Sequence, residues 1–87
     1  MKDDIGLYYY PNPSNKKIRM YVCEREGEVY FRMKNEDDPP MWEKHGWIPY
    51  DAVVSASLMT ENKKFNPLKV YDFALARELL REEKETL

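Results

Sequence analysis

Residues 18–34 read IRMYVCEREGEVYFRMK, and this stretch decides the fold. Apolar residues occupy every second position before and after Gly27, which is typical of two β-strands that each bury one face. Gly27 itself indicates a tight turn, because glycine adopts positive φ angles at little cost. The stretch therefore predicts an antiparallel β-hairpin.

The register of this hairpin follows from the length of its turn. A two-residue turn at Glu26–Gly27 places apolar residues opposite apolar ones, and a four-residue loop would keep the same parity. A three-residue loop would set apolar residues against polar ones, and a slip of one residue would turn a whole strand over. We therefore predict an even loop with four cross-strand pairs: Met20–Met33, Tyr21–Arg32, Val22–Phe31 and Cys23–Tyr30.

The segment before the hairpin extends the sheet. Residues 5–10 read IGLYYY and end at a PNPSN cluster of turn-forming residues. We predict a first strand that places Tyr9 near Ile18 and Leu7 near Met20, which gives a three-stranded antiparallel β-meander in the order 1-2-3. The expected core face takes alternate residues from all three strands: Ile5, Leu7, Tyr9, Ile18, Met20, Val22, Val29, Phe31 and Met33.

Helical signals follow the meander. An NEDDPP run breaks the third strand, with Asp38 as the predicted N-cap and Pro39 at the first helical position. A short helical turn over Met41–His45 is expected to end at Gly46. As an alternative, Trp47–Ile48 would add a fourth strand to the sheet.

Two longer helices are predicted in the second half of the chain. The first runs from near Pro49 to about Thr60–Asn62, because small and apolar residues recur at helical spacing: Ala52, Val53, Ala56 and Met59. The second begins at Asn66–Pro67, an N-cap followed by proline, and runs to about Lys84. Its apolar stripe comprises Leu68, Tyr71, Leu75 and Leu79, widened by Ala74 and Ala76.

Contiguous strands followed by contiguous helices predict the α+β class. We expect the short helical turn and the two α-helices to pack on one face of the sheet. A chain of 87 residues fits one small domain. The meander is expected over about 5–34 and the helical part over about 39–84.

Composition narrows the classes of function. Fourteen Lys and Arg face sixteen Asp and Glu, and residues 1–40 and 41–87 each carry seven basic and eight acidic groups. This balance disfavours a strongly basic nucleic-acid footprint. Cys23 is the single cysteine, which excludes an internal disulfide. With neither an apolar leader nor a membrane-spanning stretch in the sequence, we expect a cytoplasmic location and no membrane partner.

The sheet face opposite to the expected core is the principal candidate site. It interleaves aromatic and basic side chains, as in domains that stack single-stranded nucleic-acid bases on aromatic rings and hold phosphates with cations. Two plainer interpretations are that cross-strand Tyr pairs stabilise a half-exposed sheet, and that a helix covers this face as well. We call this surface the tyrosine face; it comprises Tyr8, Tyr10, Arg19, Tyr21, Cys23, Tyr30, Arg32 and Lys34.

A second candidate surrounds the short helical turn. Trp42 and Trp47 flank Gly46 and would form an exposed aromatic pocket that anchors a partner. The favoured interpretation is that both Trp side chains seal the junction between sheet and helix. His45 near a helix C-terminus is expected to contact the helix end rather than bind a ligand.

Catalysis and metal binding are not expected. Cys23 lies in the middle of a strand rather than at a helix N-terminus that would favour its thiolate. One Cys and one His cannot make a four-ligand zinc site. The acidic run Glu36–Asp38 lacks the spacing of a calcium loop, and Gly6, Gly27 and Gly46 are too isolated to form a phosphate loop. We predict neither an enzyme nor a cofactor.

Two classes of function remain. The first is a small cytosolic protein-interaction module without catalytic activity, with an unidentified protein partner or with self-association through a sheet edge or the Leu68–Leu79 stripe. The alternative is single-stranded nucleic-acid binding through the tyrosine face, which the acidic balance of the chain disfavours.

Overall fold

The computed structural model describes residues 1–59 and 70–86. Within these ranges the chain forms a four-stranded antiparallel sheet in the order β1-β2-β3-β4, together with three α-helices. The first three strands form the predicted meander, so the α+β class is confirmed. The elements are β1 (Leu7–Tyr9), β2 (Ile18–Arg25), β3 (Glu28–Asn35), α1 (Pro40–His45), β4 (Ile48–Pro49), α2 (Tyr50–Met59) and α3 (Phe73–Thr86).

The hairpin of β2 and β3 has the predicted register. Glu26 and Gly27 form a two-residue turn with φ angles of 53° and 79°, and positive φ at both positions suits the right-handed twist of the strands. All four predicted cross-strand pairs are present, among them Val22–Phe31 and Tyr21–Arg32. The alternation of residue types and the short turn were therefore sufficient to define this part of the fold.

The predicted register of β1 is wrong by two residues. Leu7 pairs with Val22 and Tyr9 with Met20, whereas Met20 and Ile18 were expected as the partners. A shift of two keeps every side chain on its predicted face, so alternation alone does not distinguish these registers. The observed register is the one in which Tyr9 reaches the start of α3.

The core lies between one face of the sheet and α3. Met20 and Phe31 are completely buried at its centre, with Tyr9, Val22, Val29 and Ala76 beside them. Ile5 was predicted on this face, but 43% of it is exposed. The reason is a chain reversal, in which the N–H of Asp3 donates to the Gly6 carbonyl at 3.0 Å and Gly6 has a φ of 151°.

The structure contains a fourth strand, which the sequence analysis gave as the alternative for Trp47–Ile48. Ile48 and Pro49 pair with Phe31 and Tyr30 of β3. This strand is short and contains a proline, two features that discourage further strand addition at a sheet edge. At the other edge, the N–H of Tyr8 donates to the Met1 carbonyl at 2.9 Å, so the N-terminal residues cover part of β1.

Asp72 starts α3. Its carboxylate accepts a hydrogen bond from the Leu75 N–H at 3.0 Å, as expected of an N-cap. The predicted start at Asn66–Pro67 and the stripe residue Leu68 lie outside the described residues, as does the predicted end of α2 at Thr60–Asn62. A continuous helix from Pro67 to Lys84 is wrong, because the chain bends at Tyr71.

Tyr9 connects the sheet to the start of α3. Its hydroxyl donates to the Val70 carbonyl at 2.6 Å and accepts from the Asp72 N–H at 2.8 Å. Desolvation raises the pKa of Tyr9 far above its ordinary value, so the hydroxyl stays protonated. Ala76 packs against the sheet with no exposed surface, whereas Leu75, predicted in the apolar stripe, is 38% exposed.

The helices do not all lie on one face. Tyr50 at the start of α2 contacts Phe31 and stacks on Phe73 of α3, so α2 and α3 share the core side. In α2, Val53 is buried while Ala52 and Ala56 are exposed. The short helix α1 lies on the opposite face of the sheet, as described below. No helix in residues 1–59 and 70–86 is long and apolar enough to cross a membrane.

Candidate functional site

The tyrosine face is not an open surface, because α1 packs on it. Tyr21 at its centre has no exposed area, which agrees with the interpretation that a helix covers this face as well. Its ring contacts Tyr8 on one side and Trp42 of α1 on the other, with 5.4 Å between ring centroids in both cases. Tyr10 and Trp47 extend the contacts to a row of five rings, which we call the aromatic row.

Asp3 fastens the N-terminal segment to this face. One carboxylate oxygen accepts hydrogen bonds from the N–H groups of Ile5 and Gly6, at 2.8 and 3.2 Å. The other oxygen accepts from the Arg19 guanidinium at 2.9 Å and from the Tyr21 hydroxyl. A single carboxylate therefore fixes both the turn that carries Ile5 and the polar end of Tyr21.

These hydrogen bonds favour the charged form of Asp3. Partial desolvation works against ionisation, but the Tyr21 hydroxyl, the two backbone N–H groups and the Arg19 charge together lower the pKa of Asp3 below its ordinary value. Burial and the hydrogen bond to Asp3 raise the pKa of Tyr21. The pair therefore consists of a carboxylate and a neutral phenol at neutral pH.

Arg32 fixes α1 on the sheet. Its guanidinium lies over the Trp42 ring at 3.9 Å from the centroid, and two of its nitrogens donate to the Trp42 carbonyl at 3.0 and 2.6 Å. That carbonyl belongs to α1, so the two hydrogen bonds join the helix directly to β3. The Arg32 guanidinium is thus engaged in contacts within the protein, and only 16% of its side chain is exposed.

The remaining predicted residues are distributed around this centre. Arg19 lies over the Tyr8 ring at 4.8 Å, and Tyr30 donates to Glu28 at 3.4 Å near the hairpin turn. Lys34 is half-buried at the far end of β3, and His45 is exposed. The structure thus brings Arg19, Tyr8, Tyr10, Tyr21, Arg32, Trp42 and Trp47 together and leaves Tyr30 and His45 outside.

A groove opens beside the aromatic row, between the N-terminal turn, the end of β3 and α1. We call it the Trp42 groove; it has a volume of about 400 Å³ and is lined by Ile5, Lys34, Asn35, Glu36, Pro39, Trp42 and Glu43. Ile5 and Trp42 provide large apolar surface to its walls. Trp42 also contacts Tyr21 and Arg32, so contacts within the fold hold this wall in position.

Of the residues that line the groove, the sequence indicated Lys34 and Trp42 as site candidates and missed the other five: Ile5, Asn35, Glu36, Pro39 and Glu43. Ile5 was assigned to the core because it continues the alternation of the first strand. The signal that would have removed it is Asp3 followed by Gly6, since an Asp side chain readily accepts from the N–H groups that follow it and glycine permits the reversal. Pro39 was interpreted only as a helix start.

The rim of the groove carries charges of both signs. Glu36 and Glu43 lie on the side of α1 and the preceding loop, and Lys34 lies on β3. The Glu43 side chain is 86% exposed, and its contact with Arg32 is long at 3.9 Å. Among the described residues, neither Glu36 nor Lys34 takes part in an ion pair.

Reactive groups are not concentrated at this site. Burial raises the pKa of the Cys23 thiol, against the smaller effect of Arg25, so its thiolate is disfavoured. Within residues 1–59 and 70–86, no three His, Cys, Asp or Glu side chains converge in an arrangement that would hold a metal ion.

No protein-family model, curated protein or solved structure matches the chain.

Proposed function

We propose that this chain is a small protein-interaction domain, and that the Trp42 groove binds a short extended segment of a partner protein. The observation that carries the proposal is the pair of walls: Ile5 is 43% exposed beside Trp42, which the fold already holds in place. A preorganised aromatic side chain next to an exposed aliphatic one is typical of an interaction hot spot.

The dimensions of the groove favour a short segment over a globular partner. A volume of about 400 Å³ accommodates a few side chains, whereas stable contacts between folded domains bury far larger surfaces. The charged residues of its lining are half-buried or exposed, so they do not form the convergent buried polar set that orients a small polar substrate. We expect weak, rapidly reversible binding.

The sheet edges and the apolar stripe of α3, the other interaction surfaces considered for this chain, are less suited to binding a partner. Both sheet edges are blunted, by Pro49 on β4 and by the Met1–Asp3 segment on β1. Leu79 of the predicted stripe packs against the core. We therefore place the partner at the groove rather than at an edge or on α3.

We also propose that the protein has no catalytic activity and that it is cytoplasmic. The disfavoured thiolate of Cys23 supports the first. The second is supported by Cys23 being a free thiol, since secreted small domains usually rely on disulfides.

A peptide-display selection with a matched pair of variants tests the proposal. Peptides selected from a random library on the wild-type protein are expected to bind Ile5→Ser about five- to tenfold more weakly, on the order of 1 kcal/mol. Leu58→Ser is the control, because Leu58 is an aliphatic residue on α2 with 82% exposure and is not part of the groove.

Fluorescence polarisation with labelled peptides measures both variants against wild type. Equal binding of the selected peptides to wild type and Ile5→Ser, or an equal loss in Leu58→Ser, would contradict the assignment of this groove.

A further inference from the structure

The charges at the rim of the Trp42 groove indicate what the bound segment contains. We propose that the groove selects a peptide in which an apolar side chain is flanked by Lys or Arg. This inference rests on the proposed function and adds the chemistry of the partner. It uses three charged residues of the lining, Lys34, Glu36 and Glu43.

The two carboxylates are available to a ligand. Glu36 forms no ion pair with the described residues. Glu43 has an 86% exposed side chain, and its 3.9 Å contact is with Arg32, whose N–H groups already donate to the Trp42 carbonyl. Arg32 lies against the Trp42 ring and is itself almost covered, so its contact leaves most of the Glu43 carboxylate open to a cation that arrives from the solvent side.

The negative side of the rim continues along the chain. Asp37 and Asp38 follow Glu36 directly and are exposed, and the one ion pair that either forms among the described residues is between Asp37 and Lys17, at 3.5 Å. Opposite them the lining offers a single cation, Lys34. A segment with basic residues beside its apolar anchor therefore meets more opposite charge than like charge on entering the groove.

The anchor and the charges have separate roles. Ile5 and Trp42 remove an apolar side chain from water, which supplies most of the affinity. The rim carboxylates remain in contact with water, so each supplies a small, salt-sensitive increment and discriminates among sequences. An acidic segment would place like charges next to Glu36 and Glu43, which is a repulsive contribution to specificity.

Three synthetic peptides test this inference. Each has about eight residues, with a central Leu in a Gly-Ser background and two flanking residues that are both Lys, both Gln or both Glu. Fluorescence polarisation gives their dissociation constants, and the indole N–H resonance of Trp42 reports whether they occupy the groove. We expect the Lys peptide to bind about tenfold more tightly than the Glu peptide, with the Gln peptide between them.

Two charge-neutralising variants locate the source of this preference. Glu43→Gln is expected to reduce the preference for Lys over Glu by about threefold. Because the Glu43 side chain is 86% exposed, we expect this substitution to leave the fold unchanged. Glu26→Gln, at the exposed hairpin turn on another part of the sheet, is the control and should leave the preference unchanged.

The outcomes separate this inference from the proposed function. If the Glu peptide binds as tightly as the Lys peptide, and Ile5→Ser weakens both, the groove binds segments but the charge selection is wrong. If none of the three peptides shifts the Trp42 resonance, or if Ile5→Ser binds the Lys peptide as wild type does, the proposed function is itself contradicted. An equal loss of preference in Glu26→Gln would assign the effect to net charge and overturn the role of the rim.

Discussion

Asp3 is the residue on which both walls of the groove depend. Its carboxylate holds the N–H of Ile5, which sets one wall, and the hydroxyl of Tyr21, whose ring supports Trp42 in the other. One carboxylate oxygen accepts from the backbone of the turn and the other accepts from side chains of β2, so Asp3 joins the turn to the sheet through hydrogen bonds. Arg19 completes the arrangement by adding a charge-assisted bond of 2.9 Å.

The replacement Asp3→Asn is expected to lower the free energy of unfolding at pH 7 by about 1 kcal/mol. The amide can still accept from the backbone, but it carries no charge for Arg19 and only one acceptor oxygen. Since the pKa of Asp3 is lowered in the folded state, its stabilisation is present above the unfolded pKa of about 3.9 and is lost as the pH falls through the lower folded value.

Urea unfolding across this pH range measures the effect. The difference between wild type and Asp3→Asn should be full at pH 7 and should shrink below about pH 4. Asp4→Asn is the matched control, because Asp4 is the exposed neighbour in the same turn and its side chain forms none of the hydrogen bonds that hold Asp3. A difference that stays constant from pH 7 to pH 2 would mean that the charge of Asp3 contributes nothing.

At the scale of the element, α3 is held by the close approach of its backbone to the sheet. Ala76 has no exposed surface, and the helix begins where the Tyr9 hydroxyl meets Val70 and Asp72. Lys84 and Glu24 add an ion pair of 2.8 Å further along the helix. That pair is largely exposed and contributes little, so the apolar contact at Ala76 decides how α3 sits.

Enlarging Ala76 should therefore be costly. Ala76→Leu is expected to lower the free energy of unfolding by about 1–3 kcal/mol, because the added methyl groups have no room between α3 and the sheet. Ala74→Leu is the control, since Ala74 lies on the exposed side of the same helix and the same change there should cost less than about 0.5 kcal/mol. Chemical denaturation of both variants gives the comparison, and equal costs would show that α3 is not packed as described.

The elements also differ in how far the sequence could predict them. The alternation of residues 18–34 and the even turn defined the hairpin register, because each strand buries one face. Alternation could not choose between β1 registers that differ by two residues. In the observed register the Tyr9 hydroxyl bonds to Val70 and Asp72, directly before α3, a contact between elements that the strand pattern does not encode. Nor could it tell that Tyr21 is buried, because alternation separates two faces of a sheet without stating which of them a helix covers.

The groove was the least predictable feature for the same reason. Trp42 was recognised as a candidate, but its position depends on Arg32 capturing a carbonyl of α1, a contact between elements that local patterns do not encode. Ile5 was assigned to the core by extending a period of two across Gly6, where the chain in fact reverses. Motifs within one element were predictable, and the contacts between elements that form the site were not.

At the scale of the whole molecule, the distribution of charge bears on the nucleic-acid alternative. The net charge is −2, and the two arginines of the tyrosine face are already bound, Arg19 by Asp3 and Arg32 by the Trp42 carbonyl. Tyr21, which would have been the central stacking platform, is completely buried. Among the described residues, Lys34 is the one cation of this face that forms no ion pair. The surface therefore offers fewer free cations and open aromatic faces than surfaces that bind single-stranded nucleic acids.

We therefore expect no measurable binding of labelled mixed-sequence DNA and RNA oligonucleotides at low salt, where phosphate contacts are strongest. Fluorescence polarisation at about 50 mM salt is the measurement. Asp3→Asn is the informative companion variant, because it releases Arg19 and raises the net charge by one unit. If the tyrosine face binds nucleic acid at all, this variant should bind more tightly than wild type. Micromolar binding by the wild-type protein that weakens steeply with salt, and that Arg19→Ala abolishes, would restore the nucleic-acid interpretation and displace the one based on the Trp42 groove.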